Sequence, residues 1–314
     1  MPRMRVFAPA TVSNVGPGFD VLGFAMHRPG DTVGAELREE PGVELVEITG
    51  DNGQLPRHAS ENSAGVAAAA VLMRVAARMP VAGIRLWLQK GLPLASGLGS
   101  SGASAAAAAV AANIVLGRPL SPREVVACAM EGERAASGSA HADNVAPSVL
   151  GGFVLIRSCD PLDIVSLPVP DGLFVAIVHP HCEVSTARAR ALLQEQRFPL
   201  SDIVANAGNL AALVAALYQQ DLALLGRSIA DRLVEPVRAA LIPGFDSVKR
   251  AARDHGALGC SISGSGPSVF AFAGEADVAA RVAQAMRAAF RDAAGLGSDA
   301  WTGPISIEGA RVLD

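Results

Sequence analysis

The sequence predicts an α+β protein of two domains, each a sheet with helices packed on it. The chain has 314 residues, half of them apolar, so it exceeds one minimal domain and can bury a sizeable core. Strand-like and helix-like segments are mixed in both halves without a regular β-α alternation. A stretch rich in Pro and Asp at 159–172 marks a change of composition, so we place the domains at 1–158 and 159–314.

Each element is predicted from its pattern of apolar residues and its end signals. Strands are expected where apolar and polar residues alternate, as at 43–49 and 84–89. A helix begins at the capping box of Ser121 and Glu124, with Pro122 at its first position, and ends near 136. The other strands are predicted at 5–8, 153–156, 174–178, 259–263, 268–273 and near Ile305. The other helices are predicted at 62–77, 100–116, 186–195, 201–219, 222–233, 245–255 and 275–293. Loops are predicted at 8–23 and 137–148.

Charge and composition argue against several classes of partner. The net charge is −4, which is unlike the basic surface of a nucleic-acid-binding protein. The four cysteines are scattered, as expected in a reducing compartment, and the N-terminus has no apolar leader segment. The longest apolar stretch noted, 103–116, is too short to span a bilayer. We therefore expect a cytoplasmic protein with no nucleic-acid and no membrane partner.

A glycine- and serine-rich segment, GLGSSG at 97–102, precedes an alanine-rich helix. It imitates the dinucleotide motif G-x-G-x-x-G, but residues 90–96 separate it from the preceding strand, and the expected acidic residue about 20 positions later is lacking outside a helix cap. The glycines let backbone approach an anion, and the helix start directs unpaired N–H groups at the same place. Two interpretations remain: a triphosphate-binding loop without the usual lysine, or a helix cap with turn glycines.

Two further loops carry glycines and polar groups. The segment 8–23 presents Asn14 and Asp20 between turn-forming residues. The segment 259–272 contains Gly264 and Gly266 between two strands, which indicates close approach of the backbone to a ligand or another loop. Ordinary turn chemistry explains each of them as well.

Three glycine-rich loops in this order resemble the GHMP kinases, which phosphorylate small metabolites with ATP. The family motif P-x-x-x-G-L-G-S-S-A is matched by PLASGLGSSG at 93–102, with Gly102 in place of the alanine. Further motifs, which together cover almost the whole chain, are similar to the branch of the family that acts on L-homoserine. They are APAT and NVGPGFDVLG within 8–23, SAHADNVAPSVLGG at 139–152, HPxxEVSTARAR at 179–190, VEPVRAALIPGF at 234–245 and GCSISGSGPSVFAF at 259–272.

The resemblance implies a fold and the position of ATP. The N-terminal domain would be like ribosomal protein S5 domain 2 and the C-terminal domain ferredoxin-like, with ATP and substrate between them. Mg²⁺ would be held by Ser101 and Glu133, although Glu133 alone would be an ordinary residue on a solvated helix face. Asn62 would lie near the adenine, although alone it is typical of a helix N-cap. The implied ATP-binding residues are Pro93, Leu94, Ala95, Ser96, Gly97, Leu98, Gly99, Ser100, Ser101, Gly102 and Asn62.

The resemblance also implies a site for L-homoserine, a small zwitterion with a terminal hydroxyl. Arg190 and Arg238 suit its carboxylate, because a guanidinium forms bidentate, charge-assisted hydrogen bonds to a planar anion. The residues implied around the amine and hydroxyl are Asn14, Asp20, His141, Asp143, Asn144 and Thr186. The implied catalytic residues are Asn144, Asp143 and Glu133. Phosphoryl transfer needs little early deprotonation, so two mechanisms stay open: Asp143 is the base, or Asn144 orients the hydroxyl and the proton passes to phosphate.

Two other functions remain open at this point. One is a GHMP kinase for a mevalonate-type or sugar substrate, whose relatives carry a G-E-H type first motif that this sequence lacks. The other is a nucleotide-binding regulator without activity, which would be expected to lose Ser101, Glu133 or Asn144. All three residues are present. A homodimer is common in the family, but no motif predicts it here.

Overall fold

A computed structural model describes residues 3–78 and 83–313, and in this part of the chain strands and helices form two sheets with helices on them. The strands are β1 (Met4–Ser13), β2 (Leu22–Arg38), β3 (Val43–Thr49), β4 (Gly83–Gln89), β5 (Phe153–Cys159), β6 (Leu162–Leu167), β7 (Phe174–Pro180), β8 (Gly259–Ile262), β9 (Val269–Ala273), β10 (Ser298–Pro304) and β11 (Arg311–Leu313). The helices are α1 (Ser63–Ala76), α2 (Ser100–Val115), α3 (Pro122–Ser137), α4 (Ala142–Leu150), α5 (Thr186–Gln194), α6 (Leu200–Gln219), α7 (Leu222–Ser228), α8 (Glu235–Arg238), α9 (Phe245–Asp254) and α10 (Ala276–Ala294).

The first sheet has the order β11-β1-β2-β4-β3, and β5 joins it beside β2 with β6 on its outer edge. Only β3 and β4 run parallel among the strand pairs of the described residues. Helices α1 and α2 pack against this sheet, and α3 packs on α1 and α2. The alanines of α2 from Ala105 to Ala109 are fully buried, and their small side chains let the neighbouring helices approach closely.

The second sheet is antiparallel, with the order β10-β7-β9-β8, and α9 and α10 pack against it. Aromatic residues of the two sheets meet in one core. Phe24 lies with its ring centroid 5.1 Å from Phe153 and 5.5 Å from Phe272, and Phe270 lies 5.2 Å from Phe272. The two domains therefore pack against each other through a buried apolar core and are not connected by a loose linker alone.

The structure corrects several predicted elements. Strands β6 and β11 were not predicted, and α7 ends at Ser228 where the sequence predicted a helix to 233. Strand β1 continues to Ser13, where the sequence predicted a loop from residue 8. Strand β2 was not predicted, because Pro29 and Gly30 interrupt its apolar pattern. Helix α4 occupies most of the predicted loop 137–148, because a Pro inside it, Pro147, and turn-forming Asp and Asn at its start are unfavourable helix signals.

The predicted boundary between residues 158 and 159 falls inside the β5–β6 hairpin. Residue Ile156 pairs with Ile164 in this hairpin, so the first sheet continues to Leu167. Strand β11 also belongs to the first sheet, where Arg5 pairs with Leu313. The sheets therefore favour a boundary between β6 and β7, with the end of the chain returning to the first domain.

Helix α6 is long and apolar enough, by length and composition, to cross a bilayer, with a mean hydropathy of 1.5. This stretch is longer than the apolar stretch 103–116 on which the expectation of no membrane span was based. One face of α6 carries Leu213 and Leu217, which are fully buried in the core between the sheets. The side-chain amide of Asn206 on α6 donates a hydrogen bond to the Pro17 carbonyl at 3.2 Å. These contacts place α6 in the body of the protein, while its opposite face is exposed.

Candidate active site

A cavity of about 580 Å³ lies between the two sheets, and its walls come from both domains. One wall is the segment between β4 and α2, which contains the glycine loop. The other wall includes residues of α5, of α8 and of the turn between β8 and β9. The predicted residues that line it are Asn14, Asp20, Asn62, Leu94, Ala95, Ser96, Gly97, Gly99, Ser100, Ser101, Glu133, His141, Asp143, Asn144, Thr186, Arg190 and Arg238. Pro93, Leu98 and Gly102 do not line it, and Leu98 is fully buried in the core.

The glycine loop has a left-handed backbone, which favours glycine, at two positions. Gly97 has φ +76° and Gly99 has φ +66°, and a Cβ on Gly97 would lie 2.5 Å from the Ser263 carbonyl oxygen. Gly99 is the N-cap of α2, and no side chain caps this helix. The first N–H groups of α2 and the positive end of its dipole therefore open into the cavity, an arrangement suited to phosphate.

Lys90, which the sequence analysis missed, lies directly behind this loop. Its ammonium donates hydrogen bonds to the hydroxyl of Ser100 at 2.8 Å and that of Ser104 at 2.9 Å, and it pairs with the carboxylate of Asp31. Asp31 also accepts hydrogen bonds from the main-chain N–H groups of residues 91 and 92. The ion pair is buried and ties β2, the end of β4 and α2 together. The signal available in the sequence was a single charged residue at the end of a predicted strand.

Ser101 and Glu133 form a pair of oxygen ligands beside the loop. The Ser101 hydroxyl donates to Glu133 Oε2 at 2.6 Å, and Glu133 is only 4% exposed. His141 Nδ1 lies 3.2 Å from Glu133 Oε1, and this hydrogen bond raises the pKa of His141. When His141 is neutral with its proton on Nδ1, it donates a hydrogen bond to Glu133. Its Nε2 can then accept a hydrogen bond from the Arg190 guanidinium, 3.2 Å away. In the described residues no three His, Cys, Asp or Glu side chains converge, so a cation here would take its remaining ligands from phosphate and water.

Most of the predicted substrate residues form one hydrogen-bonded network, which leaves out Thr186 and Asn144. Arg190 holds Asp20 through two hydrogen bonds of 2.9 and 3.0 Å. The main-chain N–H of Asp20 donates to Asn14 Oδ1 at 3.0 Å. Thr186 is farther along, with its hydroxyl 3.1 Å from that of Ser265. The network therefore joins the loop after β1 to α5 across the cavity.

Asp143 and Asn144 lie in the first turn of α4, at the bottom of the cavity. Asp143 is 2% exposed and accepts a hydrogen bond from the main-chain N–H of Asn14 at 3.3 Å. Burial, and next the negative charge of Asp20, raise the pKa of Asp143 to about 7. Asn144 Oδ1 accepts from the Thr11 hydroxyl at 3.1 Å, and a Cβ on Gly99 would lie 2.9 Å from this oxygen. The amide of Asn144 thus touches the glycine loop.

The turn between β8 and β9 bridges the two halves of the site. The Ser263 hydroxyl donates to the Gly97 carbonyl at 2.7 Å, which holds the glycine loop from the other domain. The carbonyl of Gly264 accepts from the side chains of Asn14 at 2.7 Å and Arg238 at 3.0 Å. The sequence predicted that this glycine turn closely approaches a ligand or another loop. In the structure it approaches two loops, the one after β1 and the glycine loop.

Comparison with known proteins identifies the class to which this arrangement belongs. Residues 63–152 match the GHMP kinases N terminal domain, and residues 213–292 match the GHMP kinases C terminal domain. A homoserine kinase from Chlorobium phaeobacteroides is 51% identical over 321 residues and is covered at 100%, as is this chain. One from Xanthomonas campestris pv. campestris is 44% identical, with 98% of this chain and 94% of that protein covered.

Solved structures agree with the sequence relatives. The crystal structure of homoserine kinase from Cytophaga hutchinsonii superposes with a TM-score of 0.94 at 50% identity, covering 100% of this chain and 98% of that one. A mevalonate kinase from L. major superposes with a TM-score of 0.71 at 18% identity over 95% of each chain, a likeness that shows the fold alone. The chain belongs to the GHMP kinases and, within them, to the homoserine kinase family.

Proposed function

We propose that the protein transfers the γ-phosphoryl group of ATP to the side-chain hydroxyl of L-homoserine, giving O-phospho-L-homoserine and ADP, a step of threonine biosynthesis. The observation that carries this proposal is one cavity with the glycine loop on one wall and a pair of arginines, Arg190 and Arg238, on the other. A sugar substrate gives no reason for two guanidiniums, whereas a carboxylate does. Mevalonate also carries a carboxylate, but it has no ammonium to face the carboxylates of Asp20 and Asp143, which line the same cavity. The names of the full-length relatives support the same substrate.

ATP would bind with its phosphates against the start of α2. The uncapped N–H groups of this helix and the glycine loop supply donors there. The buried Lys90–Asp31 pair lies on the far side of Ser100 and holds this helix start in place through the Ser100 hydroxyl. Asn62 lines the same cavity, and its Oδ1 accepts the N–H of Ala64 at 3.0 Å as the N-cap of α1. The adenine is therefore expected beside a rigid helix start.

Ser101 and Glu133 fit Mg²⁺, because their oxygens are hard ligands, they are 2.6 Å apart, and Glu133 supplies a negative charge. Mg²⁺ bound with ATP would offset the charge of the β- and γ-phosphates. The hydrogen bond from His141 keeps the Glu133 carboxylate oriented. Ser101, Glu133 and His141 would hold and orient the Mg²⁺ site. The bound Mg²⁺ itself would supply the charge that stabilises the phosphates.

The substrate hydroxyl would be placed by Asn144, which is held between the Thr11 hydroxyl and the glycine loop. Asp143 would stabilise the substrate ammonium together with Asp20, since two carboxylates close together favour an added positive charge. A pKa of about 7 would also suit a general base, which is the second role considered for Asp143. We favour the ammonium contact, because phosphoryl transfer depends mainly on positioning.

A coupled assay of ADP release tests the proposal, with ATP and Mg²⁺ and with L-homoserine, L-serine, L-threonine and mevalonate side by side. We expect turnover with L-homoserine well above the others, loss of activity without Mg²⁺, and a ³¹P signal of a phosphate monoester in the product. The variant Glu133→Gln is the control for a contaminating kinase, since it retains the fold but lacks the charge at the cation. Preference for mevalonate would support the alternative kinase, and no phosphotransfer to any alcohol would support a regulator.

A homodimer and a cytoplasmic location also belong to the proposal. The exposed face of α6 carries apolar side chains at Leu200, Val204 and Tyr218, which are 74%, 63% and 59% exposed. Burying such a face against a second copy removes apolar surface from water. Sedimentation of the wild type and of Val204→Glu tests the dimer, and a single monomeric species for both would contradict it.

A further inference from the structure

The guanidiniums of Arg190 and Arg238 both lie over the aromatic ring of Phe19. The Cζ atom of Arg238 lies 5.0 Å from the ring centroid, and that of Arg190 lies 5.5 Å from it. The two arginines come from different helices, α5 and α8, and Phe19 comes from the loop between β1 and β2. One side chain thus contacts two of the cations that line the cavity.

Phe19 has no other evident task in this position. It is half-buried, and none of the three hydrophobic cores formed by residues 3–78 and 83–313 includes it. The face of an aromatic ring carries partial negative charge and attracts a cation within about 6 Å of the centroid. The ring therefore offsets part of the repulsion between the two guanidiniums.

The remaining contacts of the two arginines differ. Arg190 is paired with the Asp20 carboxylate. Arg238 is 2% exposed, it donates through Nη1 to the Gly264 carbonyl, and its Nε–H is buried without a partner in the described part of the chain. A buried donor without an acceptor is costly, and it indicates a ligand with an acceptor group at this place.

We propose that Phe19 is a positioning residue that determines specificity for an amino acid carboxylate: its ring holds Arg190 and Arg238 so that both can contact the same anion. The inference rests on the proposed function. Fixing two rotamer-rich side chains before the substrate arrives lowers the entropy lost on binding. The contribution should therefore appear in the affinity for substrates that carry a carboxylate, and not in the binding of ATP.

The test uses Phe19→Leu, which keeps an apolar side chain but has no aromatic face, and Phe19→Tyr, which keeps the ring. Phe7→Leu is a matched control, because the Arg311 guanidinium lies 4.5 Å from the Phe7 ring centroid, outside the cavity. Each protein is assayed with L-homoserine and with 3-aminopropan-1-ol, which is L-homoserine without its carboxylate. If the alcohol is turned over too slowly, its inhibition constant against L-homoserine gives the same comparison.

We expect Phe19→Leu to raise KM for L-homoserine about tenfold, the size expected for the loss of partly desolvated cation–π contacts, with kcat and KM for ATP within about twofold. Phe19→Tyr and Phe7→Leu should behave like the wild type, and 3-aminopropan-1-ol should be affected equally little by all variants. An equal loss for both substrates in Phe19→Leu, or no change in KM for L-homoserine, would overturn the inference. A wild type inactive on L-homoserine but active on another alcohol would instead contradict the proposed function.

Discussion

The Lys90 ammonium donates a hydrogen bond to the main-chain carbonyl of Ser100 at 2.9 Å and a second to its hydroxyl at 2.8 Å. A buried cation therefore lies beneath the first turn of α2, although the loop itself contains no lysine. Because Asp31 neutralises this cation and also accepts two main-chain N–H groups, the pair fixes the shape of the loop as well as its charge.

The variant Lys90→Met is expected to lose about 3–5 kcal/mol of stability, because it leaves the buried carboxylate of Asp31 without a partner. The double variant Lys90→Met, Asp31→Asn should recover part of the loss, since no buried charge remains. Chemical denaturation of the wild type and both variants measures this. A double variant as unstable as the single one would contradict the role of the ion pair.

The variant Gly102→Ala should stabilise the protein by about 0.5–1 kcal/mol, because this glycine lies inside α2 and a helical alanine loses less backbone entropy. The added Cβ would meet Asn144 Cβ at 3.4 Å, an ordinary contact. The comparison variant is Gly97→Ala, whose Cβ would lie 2.5 Å from a carbonyl oxygen at φ +76°. It should lower stability and raise KM for ATP, and thermal unfolding with steady-state kinetics distinguishes the two glycines.

The variant Asp143→Asn should raise KM for L-homoserine more than it lowers kcat, because it removes a charge that would face the substrate ammonium. Steady-state kinetics over both substrates gives the split. A fall of several orders of magnitude in kcat at unchanged KM would instead make Asp143 the general base.

Stability should depend on pH through Asp143. Its pKa is raised from 3.8 to about 7, so between pH 4 and 7 the folded protein binds a proton that the unfolded chain releases. This contribution is fully present below pH 4 and is lost as pH rises to 7, with a slope of at most about 1.4 kcal/mol per pH unit. The unfolding free energy of Asp143→Asn relative to the wild type should therefore increase from pH 4 to 7 and level off above. A difference independent of pH would contradict the raised pKa.

The variant Arg238→Leu should weaken L-homoserine binding by about 2 kcal/mol or more, roughly thirtyfold, because it removes a buried charged donor from the carboxylate site. ATP binding should be unchanged, since Arg238 contacts the Gly264 carbonyl and Phe19 but no residue of the glycine loop. Isothermal titration with each ligand measures both affinities. If both fall equally, Arg238 has no specific role toward the carboxylate.

The sequence predicted much of this site because its chemistry is local. The glycines at 97 and 99, the serine at 101 and the Asp–Asn pair at 143 and 144 each lie in a short motif, and the structure brings them to one cavity. The family resemblance added the partners of these motifs. It also led to the class of protein that the comparisons then showed.

The contacts that depend on tertiary packing could not be predicted. Lys90 meets Asp31 from 59 positions away, and nothing in either neighbourhood indicates the other. Phe19 lies next to Asp20 in a predicted motif, but its ring contacts two arginines from helices that are distant in the sequence. Helix α4 was taken for a loop because local propensity disfavours it, whereas packing against β1 and β2 stabilises it.

The return of β11 to the first sheet has a mechanical consequence. The chain passes between the sheets at two places, after β6 and after β10, and Ile305 pairs with Met26 at the second crossing. A domain held by one linker rotates freely, whereas one held at two points keeps mainly a bending motion about the line that joins them. Together with the aromatic core that joins the sheets, the two connections therefore keep the wall with the glycine loop aligned with the wall with the arginines.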